Sequence, residues 1–190
     1  LDERKGHIFL LEAAISAIMN GIMISITVVG SGTDLLNEDI LPTSLYETRL
    51  IDSCHKFRLL GGSLNALGHV SDSHFATLLD SSDVVVFPSL YEGFGLPVSE
   101  AVMVGLPVIA SDLFPIREQL ELFDCHDRVL LVPPGDSYAL SLAILNYARG
   151  FGPFRVNPDS LASNFDRWTW SKAAASIIDQ LNITISKPHV

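Results

Sequence analysis

With 190 residues, 48% apolar and 18% charged, the chain suits one domain or one large lobe with a hydrophobic core, and it is not a disordered segment. Lys and Arg number 12 against 22 Asp and Glu, a formal charge of -10 that excludes duplex nucleic acid and an anionic membrane surface as expected partners. A nucleotide is still admissible, because a few local donors suffice to hold one diphosphate.

In chain order, helical and strand patterns alternate. Ile8, Leu11, Ile15 and Ile18 fall three or four residues apart, which predicts a helix over Gly6–Asn20 with Gly21 ending it. Met23–Val29 is a short β-branched run closed by Gly30-Ser31-Gly32, a buried parallel strand with a glycine loop at its carboxyl end. Residues from Asp34 to Lys56 read as mostly helical, with Pro42 at a start or break. Leu64–Leu67 is a weak strand, and Ser71 caps a helix through Leu79. The apolar run Val84–Phe87 predicts a strand buried on both faces, ended by Pro88. Pro97 stands at the start of the next helix and Gly105 at its end. Strand Val108–Ala110, helix Phe114–Leu122, strand Val129–Val132 and helix Tyr138–Ala148 follow. Gly150–Pro158 is a connection and Trp170–Leu181 the last helix. The expected fold is therefore α/β, a doubly wound parallel sheet, with residues 1–150 as the sheet-and-helix core and 151–190 as linker and closing helix.

In such sheets the ligand sits beyond the carboxyl ends of the strands, so the informative loops are Gly30–Gly32, Gly68–Ser71 and Ser89–Leu96. The last is the most telling. A strand ends, Gly93 and Gly95 allow close approach, and the helix starting near Pro97 offers unpaired N–H groups that suit a diphosphate. Glu92 and Glu100 flank that start. Carboxylates repel phosphate but accept hydrogen bonds from hydroxyls, at about 1.5–3 kcal/mol each. A nucleotide-diphosphate sugar presents hydroxyls on both sides of its phosphates, in the ribose and in the hexose.

Glu92, seven intervening residues and Glu100, in the setting Ser89-Leu90-Tyr91-Glu92-Gly93-Phe94-Gly95-Leu96-Pro97, resemble the Glu-x7-Glu motif of retaining GT-B glycosyltransferases, particularly the large family 4. Arg4-Lys5-Gly6-His7 resembles that family's Lys-Gly opening of the first helix, and Val28–Gly32 its second strand and glycine loop. Leu67–Val70 resembles the nucleotide-base loop. Gly105–Asp112, Leu131–Asp136 and the closing helix with Trp170, Ala173 and Ala174 match as well. The resemblance implies a metal-independent hexosyltransferase, with no cofactor and with a UDP-, GDP- or ADP-linked sugar as donor. By it Lys5 and Glu92 are the catalytic residues, Lys5 meeting the phosphates and Glu92 the hexose hydroxyls. Gly30, Gly32, Val70, Phe94, Gly95, Leu96 and Glu100 contact the donor, Val70 through its backbone and Glu100 at the ribose. It also implies a sugar or lipid-linked acceptor held by an N-terminal lobe. The family's first strand and an Arg five residues before the Lys fall ahead of Leu1, so a truncated or split chain is expected.

Plain structural readings stand beside these. Lys5 could be a surface lysine, Glu92 and Glu100 solvated acids at a helix edge, and Gly30–Gly32 only a tight turn. His69 fits a structural loop residue, Arg117-Glu118 a surface pair, and Trp168 and Trp170 packing residues. Three other functions share parts of the pattern: a non-catalytic nucleotide-sugar-binding or scaffold module, a GT-B sugar-nucleotide epimerase or phosphorylase, and a nicotinamide-dependent dehydrogenase. The last fails on Leu35, which occupies the third glycine position of the dinucleotide fingerprint. Cys54 and Cys125 follow no metal spacing and the six His form no ligand pair, so no structural zinc is expected. Glu12 interrupts the longest apolar run and Leu1-Asp2-Glu3 is a poor start for a signal peptide; a cytoplasmic chain without a transmembrane segment is expected, with any membrane association residing in the other lobe.

Overall fold

The computed structural model describes residues 2–37, 41–166 and 169–185. A 3-10 turn at Glu3–Lys5 leads into α1 (His7–Met19), followed by β1 (Ser25–Val28) and a second 3-10 turn at Thr33–Asn37. Then come α2 (Leu45–Leu59), β2 (Ser63–Ala66), α3 (Asp72–Asp80) and β3 (Val85–Phe87). The chain continues with α4 (Leu96–Met103), β4 (Val108–Ser111), α5 (Phe114–Phe123), β5 (Val129–Val132), α6 (Ser137–Ala148), α7 (Ala162–Phe165) and α8 (Trp170–Ile185).

All pairings are parallel. β1 pairs with β2, Ser25 opposite Ser63. β4 lies between β3 and β5, with Val108 opposite both Val85 and Val129. The strands thus form two sheets, β1-β2 and β3-β4-β5, and no strand joins β1 to β3 among the described residues. α1 links the two groups by packing. Ile8, Leu11, Ala14 and Ile15 join the core over β1-β2, while Ala13 joins the one that holds Ile109, Val132 and Leu140. One helix serves both because its apolar positions cover a wide stripe, and small alanines let its neighbours α2 and α6 approach.

β4 is the only described strand buried along its whole length. Its alternate residues feed opposite layers: Val108 and Ala110 face the core with α4 and α5, and Ile109 faces α1 and α6. Full burial of Ile109, like that of Leu106 or Ile116, stabilises the fold by roughly 1.5–3 kcal/mol per side chain. β3 departs from expectation. Val85 and Val86 are only half-buried, because β3 stands at the edge of its sheet with β4 on one side alone. The segment expected to be mostly helical divides into the short turn at Thr33–Asn37 and α2, which starts beyond Pro42 where Ser44 caps it. Ser71 caps α3 as expected, accepting from the His74 N–H. Beyond α6, Phe165 of α7 stacks on Phe123 of α5 at 4.5 Å between ring centres, tying the closing segment to the core. Trp168 lies outside the described residues.

Candidate functional site

The carboxyl ends of β1, β2 and β3 and the start of α1 each deliver one part of the site. Gly6 explains how Lys5 arrives there. It adopts a left-handed conformation (φ 68°), and a Cβ on it would lie 2.0 Å from the Pro88 carbonyl oxygen. The chain before α1 therefore runs directly against the segment after β3, and only glycine fits. The Leu90 N–H donates to the Arg4 carbonyl at 2.8 Å, closing the same contact from the other side.

This brings together residues 87 positions apart. Lys5 Nζ donates to Glu92 Oε1 at 2.6 Å, and Arg4 Nη1 pairs with Glu92 Oε2 at 2.9 Å. Ser89 Oγ adds a hydrogen bond to Oε1 at 2.9 Å. The Glu92 side chain is 10% exposed, that of Lys5 37%. Burial pushes the Glu92 carboxyl up, but hydrogen bonds from Lys5 and Ser89 and the charges of Lys5 and Arg4 outweigh it and hold it below its ordinary value. Arg4 also lies over the Tyr91 ring at 5.5 Å and Lys5 over Phe87 at 5.8 Å. Arg4 stands next to Lys5, not five residues before it where the family pattern has its phosphate Arg, and still reaches Glu92. Its contact with Glu92 depends on the turn at Glu3–Lys5, where Asp2 caps the turn by accepting from the Arg4 N–H at 2.9 Å and also pairs with the Arg4 guanidinium at 3.2 Å, and on the packing of that turn against the segment after β3.

Beside this cluster, α4 begins without a side-chain cap. Gly95 stands at its N-cap in a left-handed conformation and has no side chain to accept a hydrogen bond. The helix start thus keeps backbone donors and the positive end of its dipole. Phe94 and Leu96 are exposed beside it. Glu100 is exposed one turn further on and forms no ion pair among the described residues.

The loops after β1 and β2 are joined to each other. The Gly30 N–H donates to the Gly68 carbonyl at 2.8 Å. Thr33, 3% exposed, donates from Oγ1 to the Gly30 carbonyl at 2.9 Å and accepts from the Gly68 N–H at 3.1 Å. Thr33 was missed in the sequence; a single Thr after a glycine loop gives no signal of burial. Gly32 also has positive φ, and the loop continues into a 3-10 turn rather than the α-helix a dinucleotide fingerprint requires. Val70 is half-buried next to the exposed His69 at the same end of the fold.

Other candidates fall away from the site. Arg117 pairs with Asp112, not with Glu118 as the adjacency suggested, because the first turn of α5 brings it back over the end of β4. Cys54 and Cys125 are free and buried; burial pushes the Cys125 thiol up to about 11, which leaves it an unreactive thiol near neutrality. Among the described residues no group of three or more His, Cys, Asp or Glu could hold a metal, and no helix is long and apolar enough to cross a membrane.

An uncapped helix start, two cations on Glu92 and glycine loops at the carboxyl ends of parallel strands are arranged as in a lobe of the GT-B fold. The chain belongs to the glycosyl transferases group 1 family, which it matches over residues 1–149. It is 30% identical over 179 residues to a phosphatidyl-myo-inositol mannosyltransferase of Mycolicibacterium smegmatis, a match that covers 93% of this chain and 41% of that protein. Identity to the protein of the same name from Mycobacterium leprae is 34%, over 59% of this chain and 29% of that one. Sucrose-phosphate synthase of Thermosynechococcus elongatus superposes with a TM-score of 0.64 at 26% identity, over 97% of this chain and 43% of its own. Anabaena Alr3699/HepE, solved in complex with UDP and glucose, shares the fold with a TM-score of 0.65 at 21% identity, over 96% of this chain and 46% of its own. The chain thus spans less than half the length of each of these relatives.

Proposed function

We propose that this chain is the donor-binding lobe of a retaining hexosyltransferase that takes a nucleotide-diphosphate sugar. The observation that carries the proposal is the pairing of Lys5 and Arg4 with Glu92 beside the uncapped start of α4. Arg4 is shared with Asp2, so two cations meet two carboxylates, and the uncapped backbone donors of the α4 N-terminus beside them add the positive potential. A diphosphate offers Lys5 a second anion and Arg4 a third, and releases carboxylate oxygens of Glu92 to accept hydroxyl hydrogen bonds from the hexose. The lowered pKa of Glu92 keeps it ionised near neutrality, so it serves as an acceptor and not as a general acid.

In this reading Gly95 and Leu96, with Phe94, present backbone N–H groups to the hexose and diphosphate. Glu100, exposed and without an ion pair among the described residues, accepts from the ribose hydroxyls. The Gly30–Gly32 loop and the backbone at Val70 line the nucleoside side. During transfer the bond between the anomeric carbon and the phosphate oxygen breaks, and its electron pair stays on the diphosphate, where Lys5 and Arg4 stabilise the added charge. No metal is assigned a part. The acceptor, a sugar or a lipid-linked sugar, is assigned to the portion of the relatives that this chain does not span.

Calorimetric titration of the purified chain with UDP, GDP and ADP tests this reading. Saturable binding of one of them is expected, weakened about tenfold or more in Glu100→Ala through loss of a charged hydrogen bond. A folded chain that binds none of the three would overturn it.

A further inference from the structure

α5 buries Ile116, Leu120 and Phe123 in the core beneath β3 and β4, and with them it buries Gln119, 1% exposed. The side-chain amide of Gln119 donates to two carbonyl oxygens in the loop before α4, those of Phe94 and Gly95, the latter at 3.4 Å. Its other end, Oε1, is buried without a hydrogen-bond partner among the described residues. An amide with an orphaned oxygen is a poor filler for a core position, since Met or Leu would occupy similar volume without a stranded acceptor. What Gln119 contributes is therefore the pair of donated hydrogens.

Their consequence follows from peptide geometry. Every peptide bond described is trans, so the carbonyl of one residue and the N–H of the next point in opposite directions. Drawing the Phe94 and Gly95 carbonyls down onto α5 turns the Gly95 and Leu96 N–H groups away from it. The loop is pressed on α5 closely enough that a Cβ on Gly95 would meet Ile116 Cδ1 at 2.5 Å.

We propose that Gln119 is a positioning residue that orients the Gly95 and Leu96 N–H groups toward the diphosphate and hexose of the donor. This rests on the donor-lobe reading above. Gln119 acts through the loop and does not touch the nucleoside, so its loss separates the two halves of the ligand.

The test compares Gln119→Met with the unaltered chain by titration of UDP, GDP and ADP alongside uridine, guanosine and adenosine. The expected result is a diphosphate affinity about tenfold weaker and an unchanged affinity for the matching nucleoside, with a melting temperature little changed, because the stranded oxygen is gone while the Phe94 carbonyl loses its donor. Unchanged diphosphate affinity, or equal weakening of nucleoside and diphosphate, would overturn the proposal. If Gln119→Met does not fold, Gln119→Leu carries the same comparison, and failure of both to fold makes Gln119 a structural residue and overturns it as well. Absence of diphosphate binding by the unaltered chain is a different result, since it defeats the donor-lobe reading itself.

Discussion

The glycine loops after β1 and β3 are held by the same device and differ in what surrounds it. After β1, buried Thr33 joins Gly30 to Gly68; after β3, buried Gln119 joins α5 to Phe94 and Gly95. In each case one buried side chain replaces the regular pairing that a loop backbone lacks. The first loop has no ion pair among the described residues, whereas the second faces Arg4, Lys5 and Glu92. That difference divides the labour expected of a nucleotide-sugar site. A hydrogen-bonded cradle without cations suits the nucleoside, and one with two cations and a helix start suits the phosphates and sugar.

The sharpest way to break the comparison is Gly6→Ala. A Cβ there meets the Pro88 carbonyl and the left-handed backbone disfavours alanine. A loss of roughly 3 kcal/mol of stability is expected, read by chemical denaturation, with the second loop losing its cations before the first loop is disturbed. Next comes Thr33→Val, which keeps the shape and removes the hydroxyl. It leaves the Gly68 N–H and the Gly30 carbonyl each short of a bond, so a loss of about 1–2 kcal/mol is expected. Nucleoside and nucleoside diphosphate should weaken alike, the opposite of the split expected at Gln119.

The smallest effect, and the one that sharpens the comparison most, is the pH dependence of Glu92→Gln. Glu92 ionises more readily in the folded chain than the ordinary value of 4.5. Its stabilising contribution is therefore fully present above that value and is lost as pH falls through the lower folded one. The variant is expected to be less stable by about 1 kcal/mol near neutrality and to converge with the unaltered chain as pH falls below 4.5 and through the lower folded value. Thermal melts of both from pH 3 to 7 would show it, and a gap that persists at the acid end would remove the ion pairs as its cause. Thr33→Val should show no such convergence.

The alternation of apolar runs and turn residues made the order of strands and helices legible, because each element's period is a local property. The strand Val129–Val132 and the Ser71 cap illustrate this: the residues that form them also bound them. The Glu92–Glu100 spacing and the glycines around it were equally readable, since one short loop and one helix hold them. Pairing over long distance was not. That Arg4 as well as Lys5 meets Glu92, that Arg117 turns to Asp112, and that Thr33 and Gln119 are buried donors all depend on which elements pack together. The edge position of β3, which leaves Val85 and Val86 half-covered despite an unbroken apolar sequence, has the same origin. Hydrophobic period and turn chemistry act between neighbours in the chain, so the sequence by itself determined the elements, the α/β class and the glycine loop with its two acids. Burial and ion pairing act between neighbours in space, and only the tertiary structure decided which cations face Glu92 and which buried side chains aim the loops.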